Sequence, residues 1–314
     1  MKKFSSNFKK PTSIKQLANY LLAIVFLVVI FIYGSIYHKA QVEPKTISSQ
    51  NPTISNFTYV SEPEWLVLEK DLKARSLIVA NLDAGEIYIS RHPEVFVNIA
   101  SLSKLMTAVV VIDNLDLNKI IKVSHKAINT YGNGDNLKLG ERLSASNLLK
   151  DLLVFSSNDA AVALAEGVGY NKFIGLMNQK AKQIGLKETA FFDATGLDEK
   201  GNFSNAGDLL KLVNYIYKNY PLIGSISRMP SVTFQSVDGI YTHNLSNTDQ
   251  LIGKIDNLWL SKTGTTDNAG ECLILVYRLE NGQAIASIIL GSTDRFGDTL
   301  SIYNWFKKEE KLVQ

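Results

Sequence analysis

Hydrophobic residues fall into three regimes along the chain. The first is a continuous uncharged run at residues 17–37 (LANYLLAIVFLVVIFIYGSIY). It reaches the length of about 20 residues that a helix needs to cross a bilayer. Residues 38–62 follow, polar, with Pro44 and Pro52 and no helical period, and read as a tether. From residue 63 to residue 314 the pattern is that of a folded domain. Residues 76–82 (SLIVANL) and 86–91 (EIYISR) are β-rich runs joined across Asp83-Ala84-Gly85, which predicts a hairpin. Residues 101–115 are apolar and unbroken and predict a buried helix. Further helices are predicted over 146–155, with Ser146 as N-cap, and over 159–167, 171–184 and 205–217. In the third of these Phe173, Leu176, Met177 and Ala181 share a face, and Gly185 closes it. Strands are predicted over 231–234, 258–262, 272–279 and 284–290, the last two turning at Gly282, before a final helix over 298–307. Strands at both ends and helices between them predict an α+β fold. Its antiparallel sheet forms from both chain ends, with a helical block inserted and one N-terminal transmembrane helix in front. The hairpins argue against a doubly wound parallel sheet.

Charge sharpens the reading of the N-terminus. The net charge of the 314 residues is +3, with 33 basic and 30 acidic side chains. Six of the lysines lie in residues 1–40, where there is no acid, so the rest carries 27 basic against 30 acidic residues. The domain therefore has no electrostatic footprint for nucleic acid. Five lysines precede the apolar run and Lys39 alone follows it closely. This predicts a basic head at residues 1–16 in the cytoplasm, an anchor at 17–37 and an extracytoplasmic domain. A cleaved signal peptide is the alternative. The run exceeds the usual apolar core of roughly 7–15 residues, and Tyr37, His38 and Lys39 make a poor cleavage site. Cys272 is the single cysteine, which excludes an intrachain disulfide, and it reads as a small buried strand residue. His38, His92, His125 and His243 have no metal-ligand spacing, and neither a Gly-x-Ser-x-Gly elbow nor a phosphate loop is present.

Three short motifs carry candidate chemistry. Ser-x-x-Lys at Ser101 to Lys104 opens the predicted buried helix, Ser-x-Asn at Ser156 to Asn158 joins two helices, and Lys-Thr-Gly at Lys262 to Gly264 ends a strand. Singly the first two are weak, since Ser-x-x-Lys recurs at Ser6 to Lys9 and Ser-x-Asn at Ser5 to Asn7 and Ser49 to Asn51. Their order and structural setting match the motif set of β-lactamases and penicillin-binding proteins. Residues three apart on a helix share a face, so the Ser101 hydroxyl and the Lys104 amine can meet. Serine needs such a base, and lysine serves only when neutral. Burial among Leu102, Leu105 and Met106, with Lys262 as a second cation, would lower its pKa.

The stretches NIASLSKLMTAVVVID, FSSNDAAVALAE, FDATGLDEKGNFSNAGDLLKLV and LSKTGTTDNAGECLIL resemble D-alanyl-D-alanine carboxypeptidases, the low-molecular-weight penicillin-binding proteins. The last looks closest to their DD-endopeptidase branch. The likeness spans roughly residues 75–305 and implies a serine D-Ala-D-Ala carboxypeptidase acting on peptidoglycan stem peptides, with β-lactams as inhibitors and no cofactor. It implies Ser101 as nucleophile, Lys104 as base and Ser156 as proton relay. Asn158 would hold the substrate backbone, and Lys262 and Thr263 the terminal carboxylate. The N–H groups of Ser101 and Thr265 would form an oxyanion hole. Two positions depart from the family pattern: Ser157 stands where Gly is usual, and Thr265 where an aromatic residue is frequent. Many relatives carry a C-terminal β-rich domain and an amphipathic tail, and both are expected to be absent after the final predicted helix. Three rivals stand beside the carboxypeptidase: a DD-endopeptidase, a class A-like β-lactamase and a catalytically inactive wall-binding protein. A Glu-x-x-Leu-Asn segment for the lactamase is lacking; the corresponding region reads FFDATGLDEKG.

Overall fold

The computed structural model describes residues 54, 56–60, 70–132, 137–199 and 201–313. The expected anchor, residues 17–37, lies outside them; among the described residues no helix is long and apolar enough to cross a membrane.

A six-stranded sheet organises the domain. Its strands are β1 (Thr58–Tyr59), β2 (Ser76–Asn81), β3 (Glu86–Arg91), β10 (Leu258–Thr266), β11 (Gly270–Arg278) and β12 (Ala284–Ser292). The order is β1-β3-β2-β12-β11-β10, so strands from both ends of the domain meet at β2 and β12. Every pairing is antiparallel except that of β1 with β3. The alternation of side chains along β11 explains its unbroken apolar run. Cys272, Ile274 and Val276 face the core shared with the helices, while Leu273, Leu275 and Tyr277 face Ile302, Tyr303 and Phe306. These last three lie on the C-terminal helix (Arg295–Val313), longer than the sequence predicts. Cys272 is fully buried, and burial pushes its thiol up to about 11, which agrees with a packing role.

The inserted block fills the segment between β3 and β10. Its helices are α1 (Lys104–Asn114), α2 (His125–Ile128), α3 (Ala145–Lys150), α4 (Asn158–Val168), α5 (Tyr170–Ile184), α6 (Ala206–Asn219) and α7 (Pro221–Ser227); the C-terminal helix is α8. α1 is central: Lys104 through Val111 are all buried, and it packs on α4, α5 and α7. Short strand pairs brace the block: β4 (Val97–Asn98) with β7 (Phe203–Ser204), β5 (Ile120–Lys122) with β6 (Arg142–Ser144), and β8 (Ser231–Gln235) with β9 (Thr242–Ser246). Of these short strands, none longer than five residues, the sequence predicts only β8. His243 on β9 accounts for itself here, at 2.6 Å from the Glu141 carboxylate in a buried pair.

Three expectations need correction. The folded unit begins before residue 63: Ile54 and Phe57 are core residues, and Thr58 and Tyr59 pair with β3. An extended polar segment reads as a tether in sequence, yet two apolar side chains suffice to dock it. Second, Ser144, not Ser146, caps α3, because its side chain accepts the Asn147 N–H. Third, the helix expected from residue 101 opens as a 3-10 turn (Ala100–Ser103) and becomes α-helical only at Lys104.

Candidate active site

The three motifs converge on one cleft of about 560 Å³, lined by Ser101, Ser156, Asn158, Thr263 and Thr265 among others. Each arrives on a different element. Ser101 sits in the 3-10 turn ahead of α1, preceded by Ala100 at φ 47°. Ser156 follows a π-helical turn (Asp151–Phe155) that extends α3, and it adopts φ 66°. Two left-handed non-glycine residues therefore flank or form the motifs, a strain typical of functional sites. Thr263 and Thr265 lie on β10, the edge strand, which packs directly against the Ser101 turn. Gly264 permits that approach: a Cβ there would lie 3.1 Å from the Ser101 nitrogen and 3.2 Å from the Ile99 carbonyl oxygen.

The Lys104 amine is fully buried and has three partners. They are Ser101 Oγ at 2.7 Å, Asn158 Oδ1 at 2.7 Å and the Thr195 carbonyl oxygen at 2.8 Å. Burial lowers its pKa to about 7, with the Asp193 carboxylate acting the other way. A neutral amine has two N–H donors and one lone pair. Asn158 Oδ1 and Thr195 O can only accept, so they take both donors. The lone pair is left to the hydroxyl of Ser101, the one partner able to donate. Lys262 is equally buried and donates to Ser156 Oγ and the Thr263 carbonyl, both at 2.8 Å. Burial, then repulsion from Lys104 and Arg295, holds it well below the ordinary lysine value. Burial is the largest cause for both amines, and the two cations repel each other.

Two of these residues make bonds within the protein that the sequence does not announce. Asn158, expected to hold substrate, spends Oδ1 on Lys104 and one N–H on the Tyr131 carbonyl at 2.7 Å. It ties the base to the opposite cleft wall and retains a single N–H for anything else. Lys262 lies behind Ser156 and is 1% exposed, whereas Arg295 lines the cleft. Arg295 donates from Nη1 to the Gly264 carbonyl at 2.8 Å and to the Thr265 hydroxyl. Among the described residues that line the cleft the cation is Arg295, and the side chain of Thr265 helps aim it. Arg295 escaped the sequence reading because it follows β12, outside any motif. Thr248 also escaped it. Its N–H donates to Val154 O at 3.2 Å and its hydroxyl meets that of Thr263 at 2.6 Å, joining the π turn to β10. Ser157 replaces the usual glycine with a function, for its hydroxyl accepts the Ala160 N–H and caps α4.

Among the described residues no cluster of His, Cys, Asp and Glu could hold a metal ion. A hydroxyl paired with a neutral amine, beside a strand edge and a cleft cation, suits acyl transfer from a substrate that carries an anion. Residues 60–294 match the D-alanyl-D-alanine carboxypeptidase family, peptidase S11.

The chain belongs to this family.

It is 34% identical over 260 residues to the D-alanyl-D-alanine endopeptidase of Escherichia coli, covering 80% of each chain. To the D-alanyl-D-alanine carboxypeptidase DacF of Bacillus subtilis it is 30% identical over 230 residues, 71% of this chain and 59% of that one. The fold matches penicillin-binding protein D2 of Listeria monocytogenes in its ampicillin-bound form, with a TM-score of 0.66 and 29% identity over 74% of this chain and 96% of that one. The chain is thus a DD-peptidase-family protein with the penicillin-binding α+β fold.

Proposed function

We propose that this protein is a serine peptidase of peptidoglycan stem peptides, working through an acyl-enzyme on Ser101. The observation that carries the reading is the saturation of Lys104: two obligate acceptors consume its donors and direct its lone pair at Ser101 Oγ. In the first half-reaction Lys104 takes the Ser101 proton as Oγ attacks the carbonyl carbon of a D-alanyl residue. The oxyanion lies between the N–H groups of Ser101, at a helix start, and Thr265, on β10; such a donor is worth about 2.7–4 kcal/mol of barrier. Ser156, held by Lys262, gives its proton to the departing amine and regains one from protonated Lys104, which returns to the neutral amine. Arg295 and Thr263 receive the carboxylate beside the scissile bond. Water then resolves the ester with Lys104 again as base.

The finer assignment moves from carboxypeptidase to DD-endopeptidase, which releases a cross-linked stem instead of a terminal D-alanine. Support comes from the higher identity and fuller coverage of the endopeptidase relative, 34% and 80% of its length against 30% and 59%. A β-lactamase reading fares worse. Asp193, the carboxylate acting on Lys104, is buried and commits Oδ1 to backbone N–H groups, which makes it a poor activator of water. Residues 17–37 supply the proposed membrane anchor, which places the domain outside the cytoplasm.

The test is intact mass of the full-length chain after benzylpenicillin, then digestion of a stem pentapeptide and a cross-linked muropeptide dimer. A stable adduct on the native chain, absent in Ser101→Ala, is expected, with monomer released from the dimer. Release of D-alanine alone selects the carboxypeptidase. Turnover of penicillin selects the lactamase, and no adduct on folded protein selects a wall-binding role.

A further inference from the structure

The loop between α5 and α6 carries a buried polar knot that no motif describes. Asp193 Oδ1 accepts the N–H groups of Thr195 at 2.8 Å and Gly196 at 2.7 Å, and the Asn202 amide at 3.2 Å. Asn202 in turn takes the N–H groups of Phe192 and Asp193 and donates to Asp193 O. Both residues are almost fully buried. The turn so fixed presents two consecutive carbonyls to α1: Ala194 O accepts from Thr107 Oγ1 at 2.8 Å, and Thr195 O from Lys104 at 2.8 Å. Gly196, at φ 92°, lies so close to the Ala100 carbonyl that any side chain would collide with it.

We propose that Asp193 is a positioning residue for the proton transfer. It fixes the Thr195 carbonyl that captures one Lys104 N–H, and it sets a negative charge behind the amine. This deepens the reading of Lys104 as base and rests on it. Without the Thr195 acceptor the amine has two partners for its three directions, and its lone pair is no longer steered to Ser101. Without the carboxylate the amine loses the opposite charge that raises its pKa against burial. Asp151, Asp159, Tyr170 and Lys262 stand on elements near the amine, but Asp193 is the group whose charge raises the Lys104 value against burial. Lys262, buried behind Ser156, is a cation that repels the charged amine, and Arg295 lines the cleft.

Charge and scaffold separate by substitution. Asp193→Asn and Asp193→Ser keep a side-chain oxygen for the turn N–H groups and remove the charge. Asp193→Glu keeps the charge and disturbs the turn. Two quantities are read on the full-length chain: the pH dependence of acylation by benzylpenicillin, and the pH titration of the Lys104 side-chain resonance, assigned by its loss in Lys104→Arg. In the neutral variants the acid limb and the resonance move to lower pH by on the order of one unit, the scale of a nearby opposite charge. In Asp193→Glu both stay at the native pH while the plateau rate falls. An unmoved limb in a folded neutral variant overturns the inference, as does an equal movement in Asp193→Glu. If the native chain forms no adduct, the peptidase reading fails, and the Lys104 titration alone decides this one. Failure of both neutral variants to fold also counts against it, because Asp193 would then be a folding residue.

Discussion

Replacing Lys104 by methionine separates the stability of the site from its activity. The amine is held at about 7 against an ordinary 10.5, a difference of about 3.5 pH units. At 1.36 kcal/mol per unit this is roughly 5 kcal/mol that the fold gives up below pH 7, and about 4 kcal/mol at pH 7, where the buried amine is half neutral. Between pH 7 and 10.5 the unfolded chain binds the proton that the folded chain has lost, so the penalty shrinks as pH rises. At pH 9 roughly 2 kcal/mol remains, by the same constant. Lys104→Met also strands Asn158 Oδ1 and Thr195 O, at about 1–3 kcal/mol each, but this loss is the same at both pH values. Removing Lys104 relieves Lys262 of its neighbour's repulsion, which acts in the same direction. The stability of Lys104→Met relative to the native chain must therefore be more favourable at pH 7 than at pH 9, by roughly 2 kcal/mol. Urea unfolding at the two pH values, followed by tryptophan fluorescence, measures it. The variant forms no acyl adduct. A stability difference that is equal at pH 7 and pH 9 would refute a neutral, burial-depressed Lys104.

Three other outcomes follow from the geometry. Gly264→Ala sets a Cβ 3.1 Å from the Ser101 nitrogen and from Ala100 Cβ, so acylation slows at least about tenfold with little loss of stability, read by adduct formation over time. Arg295→Gln lowers kcat/KM on a stem peptide with a free carboxylate by about tenfold or more, the worth of one charged hydrogen bond. Against the corresponding C-terminal amide, native and variant enzymes become nearly equal. Ser144→Ala costs about 1 kcal/mol in thermal unfolding and Ser146→Ala far less, because Ser144 is the cap of α3.

Local signals made the frame of this protein readable. The antiparallel sheet closing from both ends came from alternating runs and turn residues, and the motifs announced Ser101, Lys104, Ser156 and Lys262. What escaped the reading lies in contacts between distant segments. Arg295 reaches Gly264 and Thr265 from the start of α8, and Thr248 joins Val154 to Thr263. Neither belongs to a periodic pattern, so spacing cannot reveal it. The bonds that Asn158 and Lys262 make within the protein were hidden for a related reason. Sequence names a polar residue but not how many of its bonds the protein itself consumes. β9 was missed because THNLS alternates weakly and finds its partner only in β8 and the buried Glu141.

The positions where local propensity is overruled are those on which the chemistry rests. Ala100 and Ser156 take left-handed angles that disfavour residues with a side chain, and the helix bearing Ser156 ends in a π turn. Two lysines are buried within one site. Each feature opposes folding, and each aligns one group: Ala100 turns the Ser101 nitrogen toward β10, Ser156 reaches Lys262, and burial keeps Lys104 able to accept a proton. The surrounding α1, its apolar face fully covered, is what makes the strain tolerable. A sequence reader following propensity alone would straighten both turns and expose both lysines. The fold would then be more stable, and Ser101 would have no neutral amine beside it.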